Sequence, residues 1–275
     1  MVGRRRSWWF TTAVTFRDRD GRTVQWSSRR HRKLGSRLLR QPGHREHLLW
    51  APHRVSWWIA VLFILGSACF VVAPLPPYLA WVGASADGVT FFVGSLFFTT
   101  AAALQWLETV NADRGPRAPS AVRVRLVRWE PARIDWWSSG LQLLGTLFFN
   151  ATTFRALTTA TTSPAYDKVV WRPDALGSLC FLVSGYLAYL EVSGRPLARP
   201  PRSLEGAIVS VNLFGCVAFS ASAVAGFVLP ATSADLDQRI ANATTCLGAA
   251  AFLVGAALLL REGMAGGGQP PRQPA

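Results

Sequence analysis

The chain has 275 residues, half of them apolar, and carries 29 Lys+Arg against 15 Asp+Glu, a formal net charge of +14 with a pI near 11.2. The apolar residues are bunched into long blocks with arginine between them, a pattern that argues against an ordinary soluble domain and for a lipid-embedded chain with basic flanks. Cys69, Cys180, Cys216 and Cys246 all lie inside those blocks with no C-x-x-C pair, so they suggest neither a disulfide framework nor a zinc site and read as small core residues.

In chain order, Arg4-Arg5-Arg6 precede Ser7, Trp8, Trp9 and Phe10, but no apolar h-region follows before Arg17, so a twin-arginine signal is rejected. Residues 13 to 28 read as a β-hairpin, with Val14 and Phe16 alternating before an Asp20-Gly21 turn and Val24 and Trp26 after it. The run Arg29-Arg30-His31-Arg32-Lys33, followed by Arg37 and Arg40, is expected to contact anionic membrane lipid and not nucleic acid, because no stacking platform accompanies it. All four histidines (His31, His44, His47 and His53) precede the first span, so no span supplies a histidine to a membrane haem; they read as solvated surface.

A spanning helix needs about 20 mostly apolar residues. Six stretches qualify: Trp57 to Pro74, Val89 to Leu107, Trp136 to Leu157, Ala175 to Leu190, Gly206 to Leu229 and Ile240 to Leu260, the third being polar (Gln142, Asn150, Arg155) and the fourth short. With the N-terminus inside, residues 1 to 56 carry 14 Lys/Arg, the loop at 108 to 135 carries 6, that at 191 to 205 carries 3 and the tail 2, so 25 of the 29 lie on one side. This asymmetry predicts cytoplasmic N- and C-termini. The other loops, Pro74-Leu75-Pro76-Pro77-Tyr78 and Pro230-Ala231-Thr232-Ser233, are turn-rich and nearly uncharged.

Each span carries a glycine followed by a small residue: Gly66-Ser67, Gly94-Ser95, Gly145-Thr146 and Gly177-Ser178, with Gly215-Cys216 and Gly248-Ala249 as decayed copies. Trp50, Pro52, Arg54, Trp57 and Trp58 recur 79 residues later as Trp129, Pro131, Arg133, Trp136 and Trp137, the same offset as Gly66 to Gly145. In the even spans a glutamate follows the glycine by 14 residues, giving Glu108, Glu191 and Glu262. The repeating unit is therefore a two-helix hairpin used three times, the third lacking the tryptophan pair and keeping only Pro201 and Arg202.

The segments LeuPheIleLeuGlySerAlaCysPhe and PhePheValGlySerLeuPhePhe resemble the YrhK-like domain, a two-helix membrane module with a repeated glycine-serine core, over residues 44 to 110 and again over 129 to 192. The resemblance implies a bacterial inner-membrane protein of a family with no assigned activity, and carries over no catalytic residue.

The expected fold class is an all-α polytopic membrane protein of six transmembrane helices in three hairpins. The domains are a basic segment (1–50), hairpins at 51–110, 129–192 and 201–262, and a Gly/Pro/Gln-rich tail (263–275). The six glycines are expected to pack helices closely. Glu108, Glu191 and Glu262 end even helices, where their charge opposes the helix dipole, so Arg54, Arg133 and Arg202 are expected as their ion-pair partners. Gln142 and Asn212, each three residues before a glycine, form with Asn150 a candidate polar cluster. No ionisable residue is expected in mid-membrane; Arg155 would snorkel to the interface.

Nothing in the sequence assembles a nucleophile, base and orienter, so no catalytic, cofactor or metal residue is assigned and no enzyme is expected. The leading expectation is a non-enzymatic membrane scaffold or accessory subunit whose partners are anionic lipids, with a protein partner or self-association open. The alternative is a small transporter or channel built from the three repeats. Water inside the bundle separates the two.

Overall fold

A computed structural model describes residues 3–7, 10–17, 23–27, 51–52, 54–112, 124–196, 198–229 and 236–265. The basic run from Arg29 to Arg40, the four histidines and the tail beyond Ala265 lie outside the described residues. Near the N-terminus, β1 (Gly3–Ser7), β2 (Phe10–Arg17) and β3 (Thr23–Ser27) form an antiparallel sheet in that order. Strands β2 and β3 pair with Val14 opposite Trp26 and Phe16 opposite Val24; β1 is a strand that the alternation of apolar residues did not suggest.

The body is helical: α1 (Val55–Val72), α2 (Pro76–Val82), α3 (Ala84–Val110), α4 (Ile134–Ala156), α5 (Arg172–Ser193), α6 (Leu204–Ala225) and α7 (Gln238–Ala265). The turn-rich loop after the first span holds a short helix: prolines at its first helical positions start α2, which needs no N–H there. Gly83, at φ 81°, then breaks the chain between α2 and α3 in a conformation that suits glycine alone. The fourth span is not short. A π-helical turn, Asp167–Trp171, runs straight into α5, and the span Asp167–Ser193 counts 27 residues because polar Asp167, Lys168 and Arg172 stay helical.

Five helices are long and apolar enough to cross a membrane: α1, α3, α5 with its π turn, α6 and α7. Helix α4 has 23 residues and lower hydropathy, with Ser138, Ser139, Thr146, Thr152 and Thr153 all buried along it. The six long helices form a closed ring. Consecutive hairpin partners α1/α3, α4/α5 and α6/α7 pack most extensively, the hairpins meet through α3/α4 and α5/α6, and α7 closes on α1. We call the end where α1, α4 and α6 begin proximal, and the other end distal.

On the outside of the ring, the residue just before each of the six glycines is exposed and apolar: Leu65, Val93, Leu144, Leu176, Phe214 and Leu247. An apolar belt that encircles the whole body is far larger than the patches tolerated on a soluble monomer and matches a hydrocarbon surround.

Inside, the glycines meet in pairs. A Cβ on Gly66 would lie 3.0 Å from the Gly94 carbonyl oxygen, one on Gly145 would lie 3.1 Å from that of Gly177, and one on Gly215 would lie 3.1 Å from that of Gly248. Each hairpin thus crosses backbone against backbone, which only a missing side chain permits. Four residues after every one of these glycines stands a phenylalanine: Phe70, Phe98, Phe149, Phe181, Phe219 and Phe252.

The six rings close a circuit across the bundle, in the order Phe98, Phe70, Phe219, Phe149, Phe181, Phe252 and back to Phe98, with centroid separations from 5.1 to 6.2 Å. The space they leave is about 10 Å³, bordered otherwise by Ser95. That is at the lower limit for one water molecule and offers it almost no polar partner.

Candidate functional site

On the proximal side of the phenylalanine layer the helices part around a cavity of about 130 Å³, ample for several water molecules. Phe63, Phe98, Phe181 and Phe252 border it at the layer, while Ser56, Glu108 and Glu191 border it near the helix ends. The ten residues from Phe98 to Glu108 climb about 15 Å along α3, which sets its depth.

Its polar lining comes from five helices: Gln105 and Glu108 from α3, Ser138 and Gln142 from α4, Ser184 and Glu191 from α5, Asn212 from α6 and Ser56 from α1. The Gln105 amide donates to the Gln142 side-chain oxygen at 3.2 Å across the α3/α4 contact. Ser138 donates to the Ser184 carbonyl at 3.0 Å and Ser184 to the Ser138 carbonyl at 2.7 Å, a reciprocal pair that ties α4 to α5 with its hydroxyls satisfied. Asn212 has no hydrogen-bond partner among the described residues, and a Cβ on the facing Gly255 would overlap its Oδ1. The absence of a side chain at Gly255 leaves room for this carboxamide at the cavity wall.

Of the residues singled out from sequence, the structure brings Glu108, Glu191, Gln142 and Asn212 to one cavity. Asn150 does not join them. It follows Phe149 in α4, eight residues beyond Gln142, and its Oδ1 is buried without a partner. Glu262 is half-buried near the proximal end of α7, Arg202 is exposed just before α6, and Arg54 and Arg133 occupy the N-cap positions of α1 and α4.

The Arg133 guanidinium bonds to Asp135, to Glu130 at 2.6 Å and to the Thr109 carbonyl at 3.3 Å. Neither acidic partner is one of the helix-end glutamates expected from sequence: Glu130 precedes α4, and Asp135, in its first turn, is fully buried. Glu130 also faces Arg128 at 3.4 Å. Desolvation, with the nearby Arg125 and Arg133 charges, lowers the Arg128 guanidinium from its ordinary value.

The tryptophans and prolines that recur 79 residues apart have matching geometry in this corner. Trp58 Nε1 donates to the Pro52 carbonyl at 2.9 Å and Trp137 Nε1 to the Pro131 carbonyl at 3.0 Å, while Trp57/Trp58 and Trp136/Trp137 both meet edge to face with centroids 4.9 Å apart. Helix α6 starts differently, with the Ser203 hydroxyl accepting from the Gly206 N–H at 3.2 Å as an ordinary N-cap.

Distal to the phenylalanine layer lie acidic residues that the sequence reading overlooked. Asp87 stands eleven residues before Phe98 in α3, and its Oδ1 is buried with no partner. Asp174, half-buried, stands seven residues before Phe181 in α5. Carboxylates thus occur on both sides of the aromatic layer, towards the ends of α3 and α5. Their signal was simple presence within a helix that begins earlier than apolarity alone suggests. No family model matches the chain, and neither a curated protein nor a solved structure matches it.

Proposed function

We propose that this chain is a six-span inner-membrane protein with cytoplasmic termini, built from three hairpin repeats, and that its proximal cavity takes up a small solute from the cytoplasmic side as the site of a transporter or channel. The observation that carries the reading is the cavity itself. It is concave, mostly apolar and set with a few convergent polar groups, as small-molecule sites are.

Helix α4 serves as the sixth span. Its 23 residues measure about 34 Å, enough for a bilayer core. Its low hydropathy has a local cause, since its hydroxyls are buried and Gln142 faces the cavity, while Leu144, Leu147 and Phe154 are exposed on the ring's outer surface. The three glycine crossings and the shared tryptophan corner support the repeat, and the likeness to the YrhK-like module belongs to the same reading. The bias of Lys/Arg towards the proximal loops supports the orientation.

A scaffold role is the second reading, favoured by the aromatic layer, which seals the bundle across its middle. The two readings part on water. Ala188 lines the cavity on α5, so a cysteine there samples it directly. With Ala188→Cys, a membrane-impermeant maleimide is expected to label inverted vesicles and not right-side-out ones. Native Cys69 and Cys180, which pack at the glycine crossings, should stay unlabelled until denaturation. No labelling of position 188 from either side would return the lead to the scaffold; labelling from the outside alone would reverse the orientation.

A further inference from the structure

The two ends of the bundle present different surfaces. Distally, α2 has no buried residue and offers Tyr78, Leu79 and Trp81 with no charged group among its seven residues. Proximally, residues 124–129 read Val-Arg-Leu-Val-Arg-Trp, and Val124, Leu126, Val127 and Trp129 are each 70 to 75 % exposed.

The backbone of this proximal segment is held in place. Asn111 grips Arg125 at both main-chain groups, its Oδ1 accepting from the Arg125 N–H and its Nδ2 donating to the Arg125 carbonyl, each at 2.8 Å. Trp106 Nε1 donates to the Leu126 carbonyl at 2.9 Å and Trp136 Nε1 to the Arg128 carbonyl at 2.7 Å. Trp106 stands four residues before the end of α3, about 6 Å back along its axis, so the segment lies level with the last turn of a spanning helix. The rings of Trp106 and Trp129 both meet that of Trp136, with centroids 5.6 and 5.1 Å apart. Tryptophans gathered at that level mark the boundary between headgroups and acyl chains.

The charges there are unevenly matched. Arg128 shares Glu130 with Arg133, which also takes Asp135, while the exposed Arg125 guanidinium has no ion-pair partner among the described residues. Desolvation and the charges of Arg125 and Arg133 lower the Arg128 guanidinium, and an anion between Arg125 and Arg128 relieves that repulsion. Phosphate oxygens pair well with guanidinium groups, and an acyl chain covers exposed aliphatic side chains that give a nucleic acid no ring to stack on.

We infer that residues 124–129 bind an anionic phospholipid, its phosphate against Arg125 and Arg128 and the upper part of an acyl chain over Val124, Leu126, Val127 and Trp129. The inference rests on the helices spanning a bilayer. It is independent of the solute-site reading and of which face is cytoplasmic.

The test reconstitutes the full-length protein in mixed phosphatidylcholine and phosphatidylglycerol vesicles with a trace of either lipid carrying a diazirine near the carboxyl end of one acyl chain. After irradiation, peptide mass spectrometry locates the adducts. Residues 124–129 should be labelled about fivefold more by the phosphatidylglycerol probe, the factor that one arginine contributes beside an anionic surface. The uncharged α2 should be labelled equally by both probes. Arg125→Gln should bring the two probes to near parity at 124–129. If that variant does not elute as a monodisperse species, raising ionic strength on the original protein should erode the preference instead. Millimolar glycerol phosphate, which has the anion without the chains, should leave the preference intact.

Equal labelling of 124–129 by the two probes would overturn the inference, as would loss of the preference to glycerol phosphate, which would mark a free-phosphate site. Labelling of α2 with none at 124–129 would give the segment to another partner, such as an acidic protein, while leaving the spanning helices intact. No adducts on α2, on 124–129 or on the outer belt would overturn the spanning reading as well.

Discussion

The two halves of the bundle on either side of the Phe98–Phe181–Phe252 edge are built on opposite principles. Around the glycine crossings and the aromatic layer, backbones approach to contact and almost no space remains. Proximally the same six helices separate enough to leave about 130 Å³ among amides and carboxylates. In lipid, helix association gains little from water exclusion and depends on close packing, so the dense half is where the stability of the ring should reside. The open half is free to carry chemistry.

That contrast can be broken most forcefully at the rings. Phe219→Ala removes a side chain that touches Phe70, Phe149 and Phe252, and should cost about 3 to 5 kcal/mol in unfolding from mixed micelles. It should also let the maleimide reach native Cys69 or Cys180 if the layer is what keeps water out. Next comes the crossing itself. Gly177→Ala sets a methyl 3.1 Å from the Gly145 carbonyl oxygen and 3.3 Å from Phe148 and Phe149, and should lower the melting midpoint by the equivalent of about 1 to 3 kcal/mol. The rigid backbone oxygen opposite cannot swing aside.

A smaller effect compares two helix starts. Ser203→Ala deletes the cap of α6 and should cost about 1 kcal/mol. Trp137→Phe deletes the bond to Pro131 and should cost a similar amount. Comparable losses would mean that hydroxyl cap and indole corner perform the same task in different hairpins. The smallest change is expected in the cavity. Gln142→Leu should shift the midpoint by less than about 1 kcal/mol, since the group already borders open space. A loss as large as that of Phe219→Ala would show that the open half is structural after all.

Much of the dense half was legible from spacing. Six glycines and the 79-residue echo name the crossings because a backbone contact forbids any other residue, and a prohibition leaves a strict trace. The phenylalanines stand at the same offset from all six glycines, but a phenylalanine in an apolar block has many reasons to be there, so spacing alone does not mark a ring layer. The cavity was not legible. Glu108 and Glu191 were found as helix-end residues, but which flank of a helix faces the ring axis depends on the crossing geometry of its neighbours, and one sequence does not state that. The start of the fourth span was missed for a related reason: Asp167 to Arg172 are polar, and their helical state follows from continuity with α5 and from Trp171 donating to the Ala223 carbonyl at 2.8 Å.

The contact of α7 with α1 has one more consequence. Cys246, near the start of α7, donates to the carbonyl of Val71, near the end of α1, at 3.5 Å, so the last helix finishes beside the point where the first begins. A circle of three hairpins has no privileged opening. The gene could be cut between α3 and α4, or between α5 and α6, and its old ends joined by a short linker. The permuted protein should assemble the same circle, because the order in which the hairpins are translated is not recorded in the contacts between them.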